Sequence, residues 1–100
     1  MTTVEHAERI RLAAGDEIDR SRSMLESVGL SWSMPQLVVS VQDPSKFTAE
    51  LKVEFYQGED LVDIFEFFVC DGGVLTTSED EVRRWIQDNV PDVVSRRRQA

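Results

Sequence analysis

The sequence predicts an α+β domain in which a helix at each end of the chain packs on one face of an antiparallel sheet. Three observations support this fold. Apolar residues recur with helical spacing over residues 3–29, alternate with polar residues over 47–57, and take helical spacing again after Ser78. The 100 residues are therefore expected to form one domain of order α-β-β-β-(β)-α, with a meander sheet of three or four strands.

The first helix is predicted over residues 3–29. Thr2 and Glu5 fit a capping box, and Gly29 stands where a C-terminal cap is expected. Gly15 lies in the middle of this helix, where glycine is unfavourable, so we expect it to permit either a bend or a close contact.

Three strands are predicted in the middle of the chain. The segment LSWSMP, residues 30–35, precedes them and is predicted to be a linker because it ends in proline. The strands are predicted over residues 36–42, 47–57 and 61–70, with a turn at 43–46, a turn at 71–73 and a short fourth strand after it.

The last helix is predicted to begin near Ser78, which with Glu81 fits a second capping box. Pro91 is expected to end or kink this helix. Residues 92–100, with the basic run Arg96–Arg98, are then expected to form a further turn or a frayed tail.

The third predicted strand, LVDIFEFFVC, carries apolar side chains at positions of both parities. A strand that covers a core on one side is expected to alternate instead. The register of the hairpin before it therefore decides which side chains face outwards. A two-residue turn at Gly58–Glu59 would place Glu66 in the core and expose Phe65.

A three-residue loop would instead pair Lys52 with Glu66 on the outer face and Val53 with Phe65 on the inner face. We prefer this register because a buried, unpaired carboxylate is costly, whereas Lys52 and Glu66 form a favourable cross-strand pair. A glycine at position 58 favours the shorter turn, so the alternative remains open.

Either register leaves large apolar side chains on the face that the helices do not cover, which is typical of an interface. The alternative is that the N-terminal segment, the linker or the C-terminal tail covers this face. Tryptophan is common at interfaces, and the one in the linker is a further candidate. The predicted partner-binding residues are Tyr56, Val62, Ile64, Phe68, Glu50, Glu54 and Trp32.

The chain carries 19 acidic and 11 basic side chains, a net charge of −8. Such a surface repels nucleic acids and anionic lipids and attracts basic partners. The predicted order of elements is similar to that of double-stranded RNA-binding domains, but acidic residues 79–81 stand where those domains present lysines. With no signal-peptide pattern and no long apolar run, we expect a cytoplasmic protein with no nucleic-acid or membrane partner.

No recognisable catalytic, nucleotide-binding or metal-binding motif is present, and no cofactor or metal is predicted. His6 is expected to be exposed on a helix, and Cys70 to be a buried structural thiol. Glu59, Asp60 and Asp63 are expected to form a solvated turn, because their spacing fits no calcium loop.

These features predict a small, acidic, non-enzymatic interaction protein that binds itself or a basic partner. In composition, though in no motif, the chain resembles acidic secretion chaperones and immunity proteins. A homodimer joined sheet to sheet is the simplest case. One alternative is a ligand-binding protein or enzyme with a helix–sheet pocket around Glu66 and Cys70. Another is an acidic mimic of nucleic acid, with carboxylates in regular rows.

Overall fold

The computed structural model describes residues 2–43 and 46–99 and confirms an α+β fold with an antiparallel sheet between N- and C-terminal helices. Pro44 and Ser45 of the predicted turn lie outside the described residues. The elements are α1 (Thr3–Arg20), α2 (Arg22–Glu26), β1 (Leu30–Trp32), β2 (Gln36–Asp43), β3 (Lys46–Gln57), β4 (Asp60–Asp71), β5 (Val74–Leu75) and α3 (Glu79–Gln99).

Helix α1 begins where the sequence predicts, because the hydroxyl of Thr2 accepts a hydrogen bond of 3.1 Å from the backbone N–H of Glu5. The prediction of one helix over residues 3–29 is wrong, since the helix is interrupted at Ser21. There the backbone N–H bonds to the carbonyl three residues earlier, which tightens the last turn. Gly29 follows α2 with a φ of +75°, the left-handed conformation expected after a helix.

Strand β3 is central in the sheet, with β1 and β2 paired along one side of it and β4 along the other. The predicted linker is wrong for residues 30–32, which form β1. Ser33 extends the contact, because its N–H donates to the carbonyl of Glu54 at 2.9 Å and its hydroxyl accepts from the N–H of Glu54 at 3.0 Å. The backbone N–H and the hydroxyl of Ser33 are thus both hydrogen-bonded to the backbone of β3.

Gly15 allows the chain between β1 and β2 to approach α1 closely. Pro35 is buried there, and a Cβ added at Gly15 would lie 3.5 Å from the Pro35 Cδ atom. Of the two roles predicted for this glycine, the structure shows the close contact.

The β3–β4 hairpin has the preferred register over most of its length. Lys52 pairs with Glu66, and Val53 pairs with Phe65. The Lys52 Nζ atom lies 3.6 Å from Glu66 Oε1 on the outer side of the sheet. The alternative register, which would bury Glu66, is therefore wrong.

The loop of this hairpin is nevertheless the shorter one. Gln57 pairs with Asp60, which leaves a two-residue turn at Gly58–Glu59 with a φ of +64° at the glycine. The register then shifts by one residue because Val62 is inserted as a β-bulge. A tight turn and a bulge together produce the pairing expected from a three-residue loop.

A second bulge explains why two adjacent apolar residues at the end of β4 are both buried. Ala49 pairs with Cys70 but its neighbour Glu50 pairs with Phe68, so that Val69 is the extra residue. A bulge resets the alternation of the strand. As a result the adjacent residues Val69 and Cys70 are both fully buried, and the inner face gains an apolar side chain.

The hydrophobic core lies between the inner face of the sheet and the helices, which pack on that one face as predicted. The rings of Phe55 and Phe65 meet edge to face at 4.7 Å, and Trp85 of α3 meets Phe65 in the same way at 4.8 Å. Trp85 is therefore a core contact. Other core side chains are Ile10, Ile18, Leu25, Leu51, Val53, Ile86, Val90 and Val93.

A polar contact joins α1 to α3 beside this core. The carboxylate of Glu17 is 5% exposed and accepts hydrogen bonds from Gln87 at 2.9 Å and from Arg83 at 3.4 Å. The same Arg83 nitrogen lies 2.8 Å from Asp16. Because burial of a carboxylate is costly without partners, these contacts fix the two helices relative to each other.

Helix α3 extends much further than predicted. The hydroxyl of Ser78 accepts from the N–H of Glu81 at 3.2 Å, which confirms the predicted cap. Of the alternatives predicted at Pro91, an end of the helix and a frayed tail after it are wrong, because α3 continues to Gln99. Its last turns are held by buried Val93 and Val94, by an Arg96–Asp63 ion pair, and by a bond from Arg97 to Gln57.

Candidate partner-binding face

The side of the sheet opposite the helices carries a mixture of apolar and acidic side chains. Ala49, Leu51, Val53 and Phe55 of β3 point into the core, so the residues between them, and their partners across the ladders, point outwards. We use the name outer face for the surface formed by Val38, Glu50, Lys52, Glu54, Tyr56, Leu61, Ile64, Glu66 and Phe68.

One pair of exposed apolar side chains on the outer face flanks a carboxylate. Glu50 pairs with Val38 on one side and with Phe68 on the other. Val38 is 50% exposed and Phe68 is 56% exposed. Glu50 forms no ion pair with a described residue, so this row presents a charge between two apolar side chains.

A second apolar group lies nearer the hairpin turn. Tyr56 pairs with Leu61, which is 53% exposed, and Ile64 pairs with Glu54. The Tyr56 hydroxyl donates a hydrogen bond to the carboxylate of Glu54, and this bond raises the pKa of Tyr56. The carboxylate thereby orients the ring on the outer face.

Two of the predicted partner-binding residues do not belong to this surface. Val62 was expected outside, but it is the bulge residue and packs half-buried against the core. Trp32 pairs with Phe55 of the inner face and packs against the core, with the guanidinium of Arg22 5.1 Å from its ring centroid. The structure brings together Tyr56, Ile64, Phe68, Glu50 and Glu54.

Two members of the outer face, Val38 and Leu61, are not among the predicted partner-binding residues. Val38 lies in the run LVV, where alternation alone does not say which valine faces outwards. Leu61 precedes the bulge, and its direction depends on that bulge. The only indication in the sequence that either residue faces outwards is an apolar neighbour beside it, in Val38–Val39 and in Leu61–Val62.

The N-terminal segment, the linker and the C-terminal tail, which the sequence offers as possible covers of the outer face, lie elsewhere. Strand β1 lies in the plane of the sheet, and the end of α3 contributes Val93 and Val94 to the core. Within residues 2–43 and 46–99 both long helices pack on the inner side. The outer face is therefore open in the described chain.

Among the described residues, Glu66 and Cys70 do not face a common space between the helices and the sheet. Glu66 points outwards to Lys52, whereas Cys70 is fully buried and its thiol donates to the carbonyl of Phe47 at 3.5 Å. Asp63 turns towards Arg96 rather than towards the acidic turn. Among the described residues no group of His, Cys, Asp or Glu side chains is placed to hold a metal ion.

Comparisons of the chain with protein-family models, with curated proteins and with solved structures found no match. In the described part of the chain, no helix has the length and apolar character needed to cross a membrane.

Proposed function

We propose that the chain is a non-enzymatic interaction module whose outer face binds a protein partner carrying basic side chains. The observation that supports this most directly is the row Val38–Glu50–Phe68, in which two exposed apolar side chains flank a carboxylate. Apolar contact would supply most of the affinity, and the charge would select the partner.

The charge of the outer face argues for a partner of another kind rather than for a second copy. Glu50, Glu54 and Glu66 outnumber the single base Lys52 on this surface, which Glu66 already neutralises. Two outer faces pressed together would bring like charges into contact at low dielectric. We therefore do not retain the homodimer joined sheet to sheet. The proposed location of the protein is the cytoplasm.

The other predicted functions receive less support. A ligand-binding protein or enzyme with a helix–sheet pocket would need the carboxylate of Glu66 inside, but Glu66 lies on the outer face. A nucleic-acid mimic should present uninterrupted rows of carboxylates, but Lys52 stands between Glu50 and Glu54 on β3.

The test begins with affinity capture of partners by the wild-type chain, followed by binding measurements with each purified partner. Phe68→Glu should weaken binding of a true partner by roughly a hundredfold, as loss of a central aromatic anchor does. Met24→Glu is the matched control, because Met24 is an exposed apolar residue on α2, in the helix layer. Affinity should also fall as salt is raised.

Equal affinity of wild type and Phe68→Glu for every purified partner would overturn the proposal. So would binding that Met24→Glu weakens as much as Phe68→Glu does. Circular dichroism of both variants confirms that each retains the fold, which is expected because both side chains are exposed.

A further inference from the structure

The edge strand β2 is unlike the rest of this acidic chain. In the described residues it pairs only with β3, so alternate backbone N–H and C=O groups on its other side have no strand partner. Residues 36–42 of the strand, QLVVSVQ, contain no charged residue, and a charge stands only at its last position, Asp43. Val38, Val39 and Val41 are 50%, 51% and 65% exposed. Soluble proteins normally protect such an edge with charge, proline or a covering segment.

The same strand borders an apolar groove on the helix side. Val39 and Val41 pair with Ala49 and Phe47, so their side chains lie on the inner face of the sheet. Helix α1 reaches this end of the sheet with Val4, which is 61% exposed. The groove between them has a volume of about 270 Å³.

The residues of β2 can pair with a second copy of the same strand. About Val39, Gln36 mirrors Gln42 and the apolar residue Leu37 mirrors Val41, whereas Val38 mirrors Ser40. Antiparallel pairing of two copies about this residue sets Leu37 opposite Val41 on the inner side and Val38 opposite Ser40 on the outer side. An interface with two-fold symmetry requires this kind of self-complementarity.

The charges beside the groove also permit contact between two copies of a chain with net charge −8. Glu8 of α1 lines the groove, and its carboxylate forms an ion pair with Arg11 of the same helix. The hydrogen bond from Arg11 lowers the pKa of Glu8, which keeps the pair ionised. Arg11 also donates to the carbonyl of Pro35 at 3.3 Å, next to the start of β2. A second copy can thus approach this edge with little like-charge repulsion, in contrast to the outer face.

We propose that two copies of this chain pair antiparallel through β2, with the two-fold axis at Val39. The two sheets then become one, and the apolar grooves meet across the axis on the helix side. The inference does not rest on the proposed function, since the outer faces remain open and lie side by side on the joined sheet.

Light scattering behind size exclusion, over a wide concentration range, is the first test. We expect a wild-type dimer. Val39→Lys places two like charges opposite each other at the axis and should raise the concentration for half-dissociation by roughly tenfold or more. Met24→Lys adds the same charge on α2 and should leave the dimer unchanged.

Disulfide cross-linking then identifies the surface that forms the dimer. Directly opposed residues of antiparallel strands have Cα atoms about 4.5–5.5 Å apart, which suits a disulfide. Val39→Cys should therefore cross-link rapidly under mild oxidation, and Phe68→Cys should not. The native thiol of Cys70 is fully buried and does not compete.

A wild-type chain that is monomeric up to its highest soluble concentration would overturn the proposal. A dimer that survives Val39→Lys, or that cross-links through Phe68→Cys, would place the contact elsewhere and would equally overturn it. These measurements involve no second protein, so they are independent of the test of the outer face.

Discussion

At the scale of single residues, Gly15 offers the clearest prediction. A Cβ at this position would lie 3.5 Å and 3.7 Å from two ring atoms of Pro35, an ordinary van der Waals distance. Gly15→Ala should therefore keep the contact and gain helix propensity, raising the free energy of unfolding by about 1 kcal/mol. Urea unfolding followed by tryptophan fluorescence measures this change.

Gly29→Ala is the matched control for that prediction. Gly29 has a φ of +75°, which an alanine adopts only with strain. The same added methyl group should here lower stability by about 1 kcal/mol. A loss of stability in Gly15→Ala would show that the contact with Pro35 is tighter than the distances indicate.

Single residues also show where prediction from the sequence reached its limit. Exposed Phe68 and the Lys52–Glu66 pair follow from strand alternation and the cost of a buried carboxylate, whereas the burial of Cys70 depends on the bulge at Val69. Glu17 could not be recognised as buried, because its partners on α3 lie about seventy positions away in the chain. Val62 was placed on the wrong face for a related reason, since a bulge has no local sequence mark.

At the scale of elements, the bulge in β4 makes a deletion informative. Removal of Val62 would leave Tyr56 paired with Leu61 and Phe55 paired with Asp63, now without an interruption. The fold and the Lys52–Glu66 pair should survive, with a loss of about 1 kcal/mol for the half-buried valine. Urea unfolding gives the stability, and nuclear Overhauser contacts between Val53 and Phe65 report the register.

Deletion of Ile64 provides the contrast. The bulge at Val62 can absorb this change too, because Val62 would pair with Phe55 while Phe65 stays opposite Val53. Asp63 would then lie opposite Glu54 on the outer face, so the loss of stability should be larger than for deletion of Val62. If deletion of Val62 abolished the Val53–Phe65 contacts, the bulge would be a requirement of the fold rather than an insertion in it.

The elements that the sequence failed to predict are those that depend on distant partners. Pro91 inside a helix costs about 3 kcal/mol, which favours an end to α3. Burial of Val93 and Val94 and the Arg96–Asp63 ion pair offset this cost, but they require the sheet to be present. The capped starts of α1 and α3 were predictable because their hydrogen bonds are local.

At the scale of the whole molecule, the packing of the two long helices should depend on acid pH. The hydrogen bond from Arg83 of α3 lowers the pKa of Asp16 of α1, with Arg20 as a further cause. A carboxyl with a lowered pKa in the folded state contributes stability above its unfolded pKa of about 3.9 and loses it as the pH falls through the folded value. The urea midpoint should therefore fall as the pH is lowered from 5 to about 2.

Asp16→Asn should make that loss shallower, because one of the linked carboxyl groups is then absent. Asp88→Asn removes a carboxylate that forms no ion pair with a described residue and should leave the slope as in wild type. Parallel pH profiles for wild type and Asp16→Asn would show that the contact with Arg83 does not stabilise the packing of α1 on α3.

The burial of Cys70 has a practical consequence. A thiol that is fully enclosed beside the second bulge can react with a labelling reagent only when that end of β3 and β4 separates. Its rate of modification under native conditions therefore measures local opening of this part of the sheet. Because the chain has no other cysteine, the measurement needs no substitution, and all modification occurs at Cys70.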